Sequence, residues 1–391
     1  MRILIVSQMT PYLPCHDGFR VLAAHLLQNL ARHHRVALIA AATPAETPEQ
    51  QRWPIPFCAW TETVPLARWS HPLTGAPDEG VARLRAAVLR ALERFAPDVI
   101  HLEGGVLAPL ARVNGVPTVL SIHDSRALRA REFRRLARTP WAWLRAGLLE
   151  RREAAWEHRW FGAADACVVL SEEDRTALAG LGLSARTQVI PTGIDLRQYE
   201  FRRAGQPGRI VFTGNLAWPP NVDAARRFAT VIFPKVRAAV PRAEFVVAGA
   251  DPVPAVRALG ALPGVRVTGT VPDLRPSIWG AGVYVSPLRA GFGMKNKILE
   301  AMALGTPIVA SPRSLSGLRD VAAGRHLLVA DSDDATAQAV LTLLSDGTTA
   351  DTLACNARAL VERCYSWPTV ARRYEALLGQ VAGAESAEAM A

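Results

Sequence analysis

The sequence predicts an α/β protein of two doubly wound, parallel-sheet domains facing across a cleft. Three observations predict it. Apolar strand patterns and helical patterns alternate from end to end, as parallel sheets covered on both faces require. The chain has 391 residues, half of them hydrophobic, which is long for one core and comfortable for two. The alternation also stops once, near residues 189–208, and then begins again.

In the first half the expected strands are Ile3–Ser7, Val36–Ala40, Val99–Leu102, Thr118–Ile122 and Cys167–Leu170. Arg20–His33 and Val81–Phe95 read as crossover helices. Gln51–Gly75 is rich in Trp and Pro and gives no clear pattern. Arg126–Phe161 reads as helix interrupted near Pro140, where the ring removes a donor and clashes within a helix. Residues 1–190 then form the first domain, and the Arg/Gly/Pro-rich stretch 191–208 is the linker. The second domain, 209–365, has strands at Ile210–Thr213, Phe245–Ala248, Val265–Thr268, Val283–Ser286, Ile308–Ala310 and Leu327–Val329. A closing helix spans 366–382, and the small, polar residues 383–391 are expected to fray.

Composition excludes several classes. No apolar run approaches the roughly 18–20 residues that span a bilayer. The opening Met-Arg-Ile-Leu-Ile-Val-Ser reads as a buried strand, not as a signal peptide. Five cysteines form no C-x-x-C pair, so they are expected to be reduced thiols in a cytoplasmic protein. The net charge of +10 invites an anionic partner, and between Arg126 and Trp160 ten Arg face four Glu, interleaved with four Trp. No nucleic-acid-binding signature accompanies that stretch, so it reads either as a solvated face or as a contact with anionic membrane.

Candidate site residues are sought beyond the carboxyl ends of the strands, where ligands of open parallel sheets collect. The first such loop holds a single glycine, Gly18, and Arg20, which excludes the three-glycine dinucleotide fingerprint; no P-loop occurs anywhere. Glu103 ends one strand, and His123 and Asp124 end another, where Asp124 is a candidate helix cap. Gly214 and Asn215 end the first strand of the second domain. The strongest segment is Arg289-Ala-Gly-Phe-Gly-Met-Lys-Asn-Lys-Ile-Leu-Glu300. The chain has only three lysines, and Lys295 and Lys297 both lie here. Gly291, Phe292, Gly293 and Met294 turn the chain into a helix opened by Asn296. A helix N-terminus with two ammonium groups suits a diphosphate. Glu300, one turn beyond Asn296, is wrong for phosphate and right for sugar hydroxyls.

These residues resemble glycosyltransferases of the two-Rossmann, cleft-forming (GT-B) type, particularly family 4. The resemblance rests on Ile190-Pro-Thr-Gly-Ile-Asp195, Phe212-Thr-Gly-Asn215, Pro219–Ala224 and above all Glu300-Ala-Met-Ala-Leu-Gly-Thr-Pro-Ile-Val-Ala310. Ser121-Ile-His-Asp124 and Tyr365-Ser-Trp-Pro-Thr-Val370 fit more loosely. It implies a retaining transferase that moves a sugar from a nucleotide diphosphate sugar to an acceptor hydroxyl, without cofactor or metal. By resemblance Glu300 holds the ribose, Gly291–Lys297 the diphosphate and sugar, and Thr270 and Val271 the base. His123 lies beside the transferring sugar, and Gly18 approaches the donor from the first, acceptor-side domain. The last helix crosses back onto that domain. A saccharide or lipid-linked acceptor, polysaccharide or glycoconjugate synthesis, a place at the inner membrane face and no nucleic-acid partner follow as expectations.

Two departures stand out. The family usually has a further Glu immediately before Gly-Phe-Gly, where this chain has Ala290, and 294–299 is two residues longer than usual. The loop after Gly214 lacks the usual Arg and Lys, so Lys295 and Lys297 are expected to supply that charge. The rival readings are a nucleotide-sugar epimerase of the same architecture and a catalytically inactive scaffold. A metal-dependent transferase would need Asp331-Ser-Asp333, which helix capping explains better.

Overall fold

The computed structural model describes residues 1–15, 17–66, 79–111, 113, 115–137, 139–183, 186–203, 205–291 and 293–388. The chain forms two compact units, one of Met1–Gly193 with Trp367–Ala391 and one of Ile194–Ser366.

The first unit carries seven strands: β1 Arg2–Ser7, β2 Arg35–Ala42, β3 Trp60–Pro65, β4 Val99–Glu103, β5 Thr118–His123, β6 Ala166–Val169 and β7 Thr187–Val189. They pair in parallel in the order β3-β2-β1-β4-β5-β6-β7. β3 lies inside the stretch whose Trp and Pro concealed any pattern. It is an edge strand, where a terminal Pro65 is tolerated because no neighbour needs its missing N–H. In β4, Ile100 and Leu102 enter the core, so strand alternation puts His101 and Glu103 together on the other face. The helix Trp367–Glu388 belongs to this unit. Trp367 stacks on His25 at 4.7 Å, and Tyr374 reaches Ser121 at 3.4 Å. That helix runs through residues 383–388, which were expected to fray; 389–391 lie outside the described residues.

The second unit has β8 Gln206–Thr213, β9 Glu244–Ala248, β10 Val265–Gly269, β11 Ala281–Ser286, β12 Ile308–Ala310 and β13 Leu328–Val329. The order is β10-β9-β8-β11-β12-β13, all parallel. β8 takes up residues 206–208 of the expected linker. Successive β8 residues enter opposite cores: Ile210 and Phe212 pack on one face, Val211 on the other. In both sheets the winding reverses beside the first strand, at β1/β4 and at β8/β11. Those reversals open crevices at the carboxyl ends. Each unit's candidate site lies at its own reversal.

Candidate functional site

In the second unit, β8 ends at Thr213 and β11 at Ser286, and a cavity of about 270 Å³ opens beyond them. It is lined by Gly214, Trp218, Pro220, Asn221, Leu288, Ala290, Gly291, Met294, Lys295, Asn296 and Lys297. Close backbone packing builds its floor. Gly249 has φ +153°, and a Cβ there would lie 1.8 Å from the Gly214 carbonyl oxygen, so only glycine fits. Gly291 and Gly293 take φ of +133° and +67° and turn the chain into the helix Asn296–Leu304. Lys295 precedes that helix and supplies no side-chain cap. It folds back instead, buried, to donate to the Gly293 carbonyl at 2.6 Å.

Lys297 is half-buried, and its ammonium donates to Asn221 Oδ1 at 2.7 Å and to the Thr213 carbonyl at 3.4 Å. It also lies 4.6 Å from the centroid of the Phe212 ring. All three partners are neutral. Burial, reinforced by the Lys295 charge and opposed by Glu300, pulls its pKa down to about 7. Such an amine gains its charge most readily when an anion arrives. Glu300, farther along the helix, accepts a hydrogen bond from Tyr199. Burial pushes the Glu300 carboxyl up, against that bond and the Lys297 charge.

The other expected residues of this unit are placed differently. Arg289 stands outside the cavity lining and grips Asp223 with two bonds, at 3.0 and 2.5 Å. Asn215 spends its Oδ1 on the turn, accepting from the Ala217 and Trp218 amides at 2.9 and 3.2 Å. Thr270 and Val271 follow the edge strand β10 on the same carboxyl edge, outside the cavity lining. Phe292 lies outside the described residues. Ser332, not an Asp, caps the helix Asp333–Ser345, while Asp333 pairs with Arg227 at 2.7 Å.

At the reversal of the first sheet, Glu103 is fully buried and accepts from His101 Nε2 at 2.7 Å and from His123 Nε2. Burial alone would raise the Glu103 carboxyl. His123 and His101 outweigh it and hold it down to about 2. Burial likewise disfavours the His123 cation, but the Glu103 charge prevails and raises that pKa. His123 closes β5 at a register shift, with φ +66°, and its ring stacks on Phe19 at 4.5 Å. A non-glycine residue in that conformation stores backbone strain, as functional sites often do. Arg20 is occupied elsewhere, binding Glu46 at 2.6 Å and the Thr10 carbonyl at 3.3 Å. Gly18 opens the helix that Asp17 caps. Asp124 is not the cap of the next helix; Ser125 is, accepting from the Leu128 amide at 3.1 Å.

Sequence reasoning missed Asn221, Tyr199, His101 and Phe19. Asn221 carried a signal, as the polar residue that follows two prolines in the first turn of the helix Pro219–Arg227. His101 carried one too, as a polar residue two positions before Glu103 on a strand.

Two family models match the chain: Glycosyltransferase Family 4 over residues 16–198 and Glycosyl transferases group 1 over residues 207–346. Together they take in both units. No curated protein matches by sequence. Among solved structures, a sucrose-phosphate synthase from Thermosynechococcus elongatus is similar, with a TM-score of 0.72 and 18% identity over 98% of this chain and 100% of that one. Anabaena HepE in complex with UDP gives 0.68 and 16% over 97% and 100%. The lipopolysaccharide outer core galactosyltransferase WaaB gives 0.61 and 12% over 97% and 100%. Likeness at such identities establishes the fold.

Proposed function

We propose that this chain, which belongs to the two-domain (GT-B) glycosyltransferases, moves a sugar from a nucleoside diphosphate sugar to an acceptor hydroxyl with retention at the anomeric carbon. The observation that carries the reading is Lys297, an amine with a depressed pKa held by neutral oxygens at the mouth of the β8/β11 crevice. An incoming anion would supply the opposite charge that its neutral acceptors lack. The diphosphate would lie across Lys297 and the start of the helix Asn296–Leu304, while Glu300, steadied by Tyr199, takes the ribose hydroxyls.

As the bond between the anomeric carbon and the diphosphate oxygen breaks, negative charge grows on that oxygen, where Lys297 stabilises it. The acceptor oxygen bonds the same carbon, and its proton passes to the departing diphosphate. No metal enters these steps. His123, kept charged by Glu103, is the group assigned to the hydroxyls of the transferring sugar. The acceptor is a saccharide or a lipid-linked glycan in cell-surface polysaccharide synthesis, and the enzyme meets it at an anionic membrane surface. The UDP bound in the HepE structure favours a nucleotide-diphosphate donor here as well.

A thermal-shift panel of nucleoside diphosphates and their sugars tests the donor assignment. A ligand at 100-fold excess over its Kd should add about 2.7 kcal/mol of stability. A panel with no responder at all would reject the reading.

A further inference from the structure

The helices Arg126–Leu136 and Pro140–Phe161 pack on one another as a hairpin in the first unit. Gly147 faces the first helix, where a Cβ would make ordinary contact with Arg134 Cδ at 3.4 Å. The second helix has two unlike halves. Its later half is anchored: Trp156 and Phe161 are in the core, and the buried Glu157 accepts from the Arg126 and Ala127 amides at 2.6 and 3.2 Å. The earlier half is bare. Trp141 is 74% exposed, Trp143 54%, Leu144 46% and Leu148 60%; of 139–149 only Ala146 is buried.

The charges of the hairpin are sorted by direction. Glu132, Glu153 and Glu157 are buried, and the largely buried Glu150 is neutralised by Arg131 and Arg134 at 2.8 and 3.0 Å. Arg145 and Arg151 are exposed and pair with no carboxylate among the described residues. The outward face is therefore cationic at its margins and apolar at its centre. Trp141, Leu144, Arg145, Leu148 and Arg151 recur at helical spacing and share one side of the helix.

We propose that this face docks the protein on an anionic lipid bilayer, with Trp141, Leu144 and Leu148 entering the interface and Arg145 and Arg151 meeting lipid phosphates. It deepens the membrane part of the proposed function and needs no part of the sugar-transfer chemistry. The side chains select this occupant. Leucines at the centre have no use for a nucleic acid, which would want aromatic platforms alone. A second copy would bring arginine against arginine, and like charges juxtaposed are costly. Apolar residues with an aromatic at the interface and a basic rim are what an in-plane amphipathic helix requires. Among the described residues no helix is long and apolar enough to cross a membrane, so the contact would be peripheral.

The test is sedimentation of the full chain with phosphatidylcholine vesicles, with and without phosphatidylglycerol. Binding should need phosphatidylglycerol, weaken with salt and shift the tryptophan fluorescence to the blue. Replacing Arg145 or Arg151 by Ala should weaken it about fivefold each. The combined Trp141→Ala, Leu144→Ala, Leu148→Ala variant should weaken it at least about tenfold and abolish most of the blue shift. A wild-type chain that stays in the supernatant overturns the proposal, as does binding that none of these changes weakens. Loss with the arginine changes alone overturns the insertion of the apolar residues. A wild-type dimer that the triple variant dissolves assigns the face to self-association instead, and retention on a single-stranded oligonucleotide lost in the same variants assigns it to nucleic acid. Every variant should keep its thermal shift with the nucleotide, which separates failure here from failure of the transferase reading.

Discussion

The two sheets end in clusters built on opposite electrostatic plans. At the end of β4, a buried carboxylate is flanked by two histidines, and the pKa values of Glu103 and His123 are driven apart until both are charged. At the end of β8, Lys295 stands close enough to lower the basicity of Lys297, whose ammonium has only neutral acceptors. The first cluster pairs its charges through direct hydrogen bonds, whereas in the second Glu300 acts on Lys297 without accepting from its ammonium. A paired site serves to hold a side chain in one orientation. A cation held only by neutral acceptors is stabilised by an incoming anion, which is why the proposed diphosphate is placed in the second unit.

The sharpest way to break that contrast is to remove the unpaired amine. Lys297→Ala should leave folding intact and lower turnover by about 10²–10³, roughly 3–4 kcal/mol of leaving-group stabilisation. Turnover is read by following release of the nucleoside diphosphate. An unchanged rate would mean that the charge in this crevice has no part in the chemistry.

The next effect is on pH dependence. Lys297 titrates at about 7 in the free protein, and a bound diphosphate must raise that value because opposite charges favour the protonated form. Binding should therefore take up a proton above pH 7, and affinity should fall by up to about tenfold per pH unit as pH rises from there. Calorimetry of UDP, GDP and ADP in buffers of differing ionisation heat reads both quantities. The same site in Lys297→Ala should bind more weakly and take up no proton. Equal uptake in the variant would move the titrating group elsewhere.

How much of this was legible beforehand follows from what each residue's neighbours are. The scarcity of lysine and the Gly-x-Gly turn pointed to Lys295, Lys297 and the cavity wall because those residues are contiguous in sequence. Tyr199 and Asn221 were hidden because they reach Glu300 and Lys297 from distant segments, and side-chain partners across a fold leave no periodicity. Arg289 and Arg20 looked like ligand-binding cations for the same reason: their carboxylates, Asp223 and Glu46, lie far along the chain. β3 was obscured by a composition that only an edge strand can accept. Strand alternation did hold the key to the first cluster. His101 and Glu103 had to share a face, although nothing in sequence said that His123 would join them.

The smallest expected effect sharpens the paired side of the contrast. Glu103→Gln keeps the shape and an acceptor but removes the charge that raises the His123 pKa, so His123 should lose its proton at lower pH than in the wild type. Activity should match the wild type best at low pH, while at pH 8 it should fall by about threefold to tenfold. Stability should follow the sign of each shift. The Glu103 contribution is complete above its ordinary value of 4.5 and is lost as pH falls toward about 2. The His123 contribution is complete below its ordinary 6.5 and is lost as pH rises through the elevated value. Denaturant melts of wild type and variant should thus differ most between those two ordinary values and converge toward both extremes. A constant difference across the whole range would mean that Glu103 acts by packing alone. In that case the histidine's charge, unlike that of Lys297, would owe nothing to its neighbours.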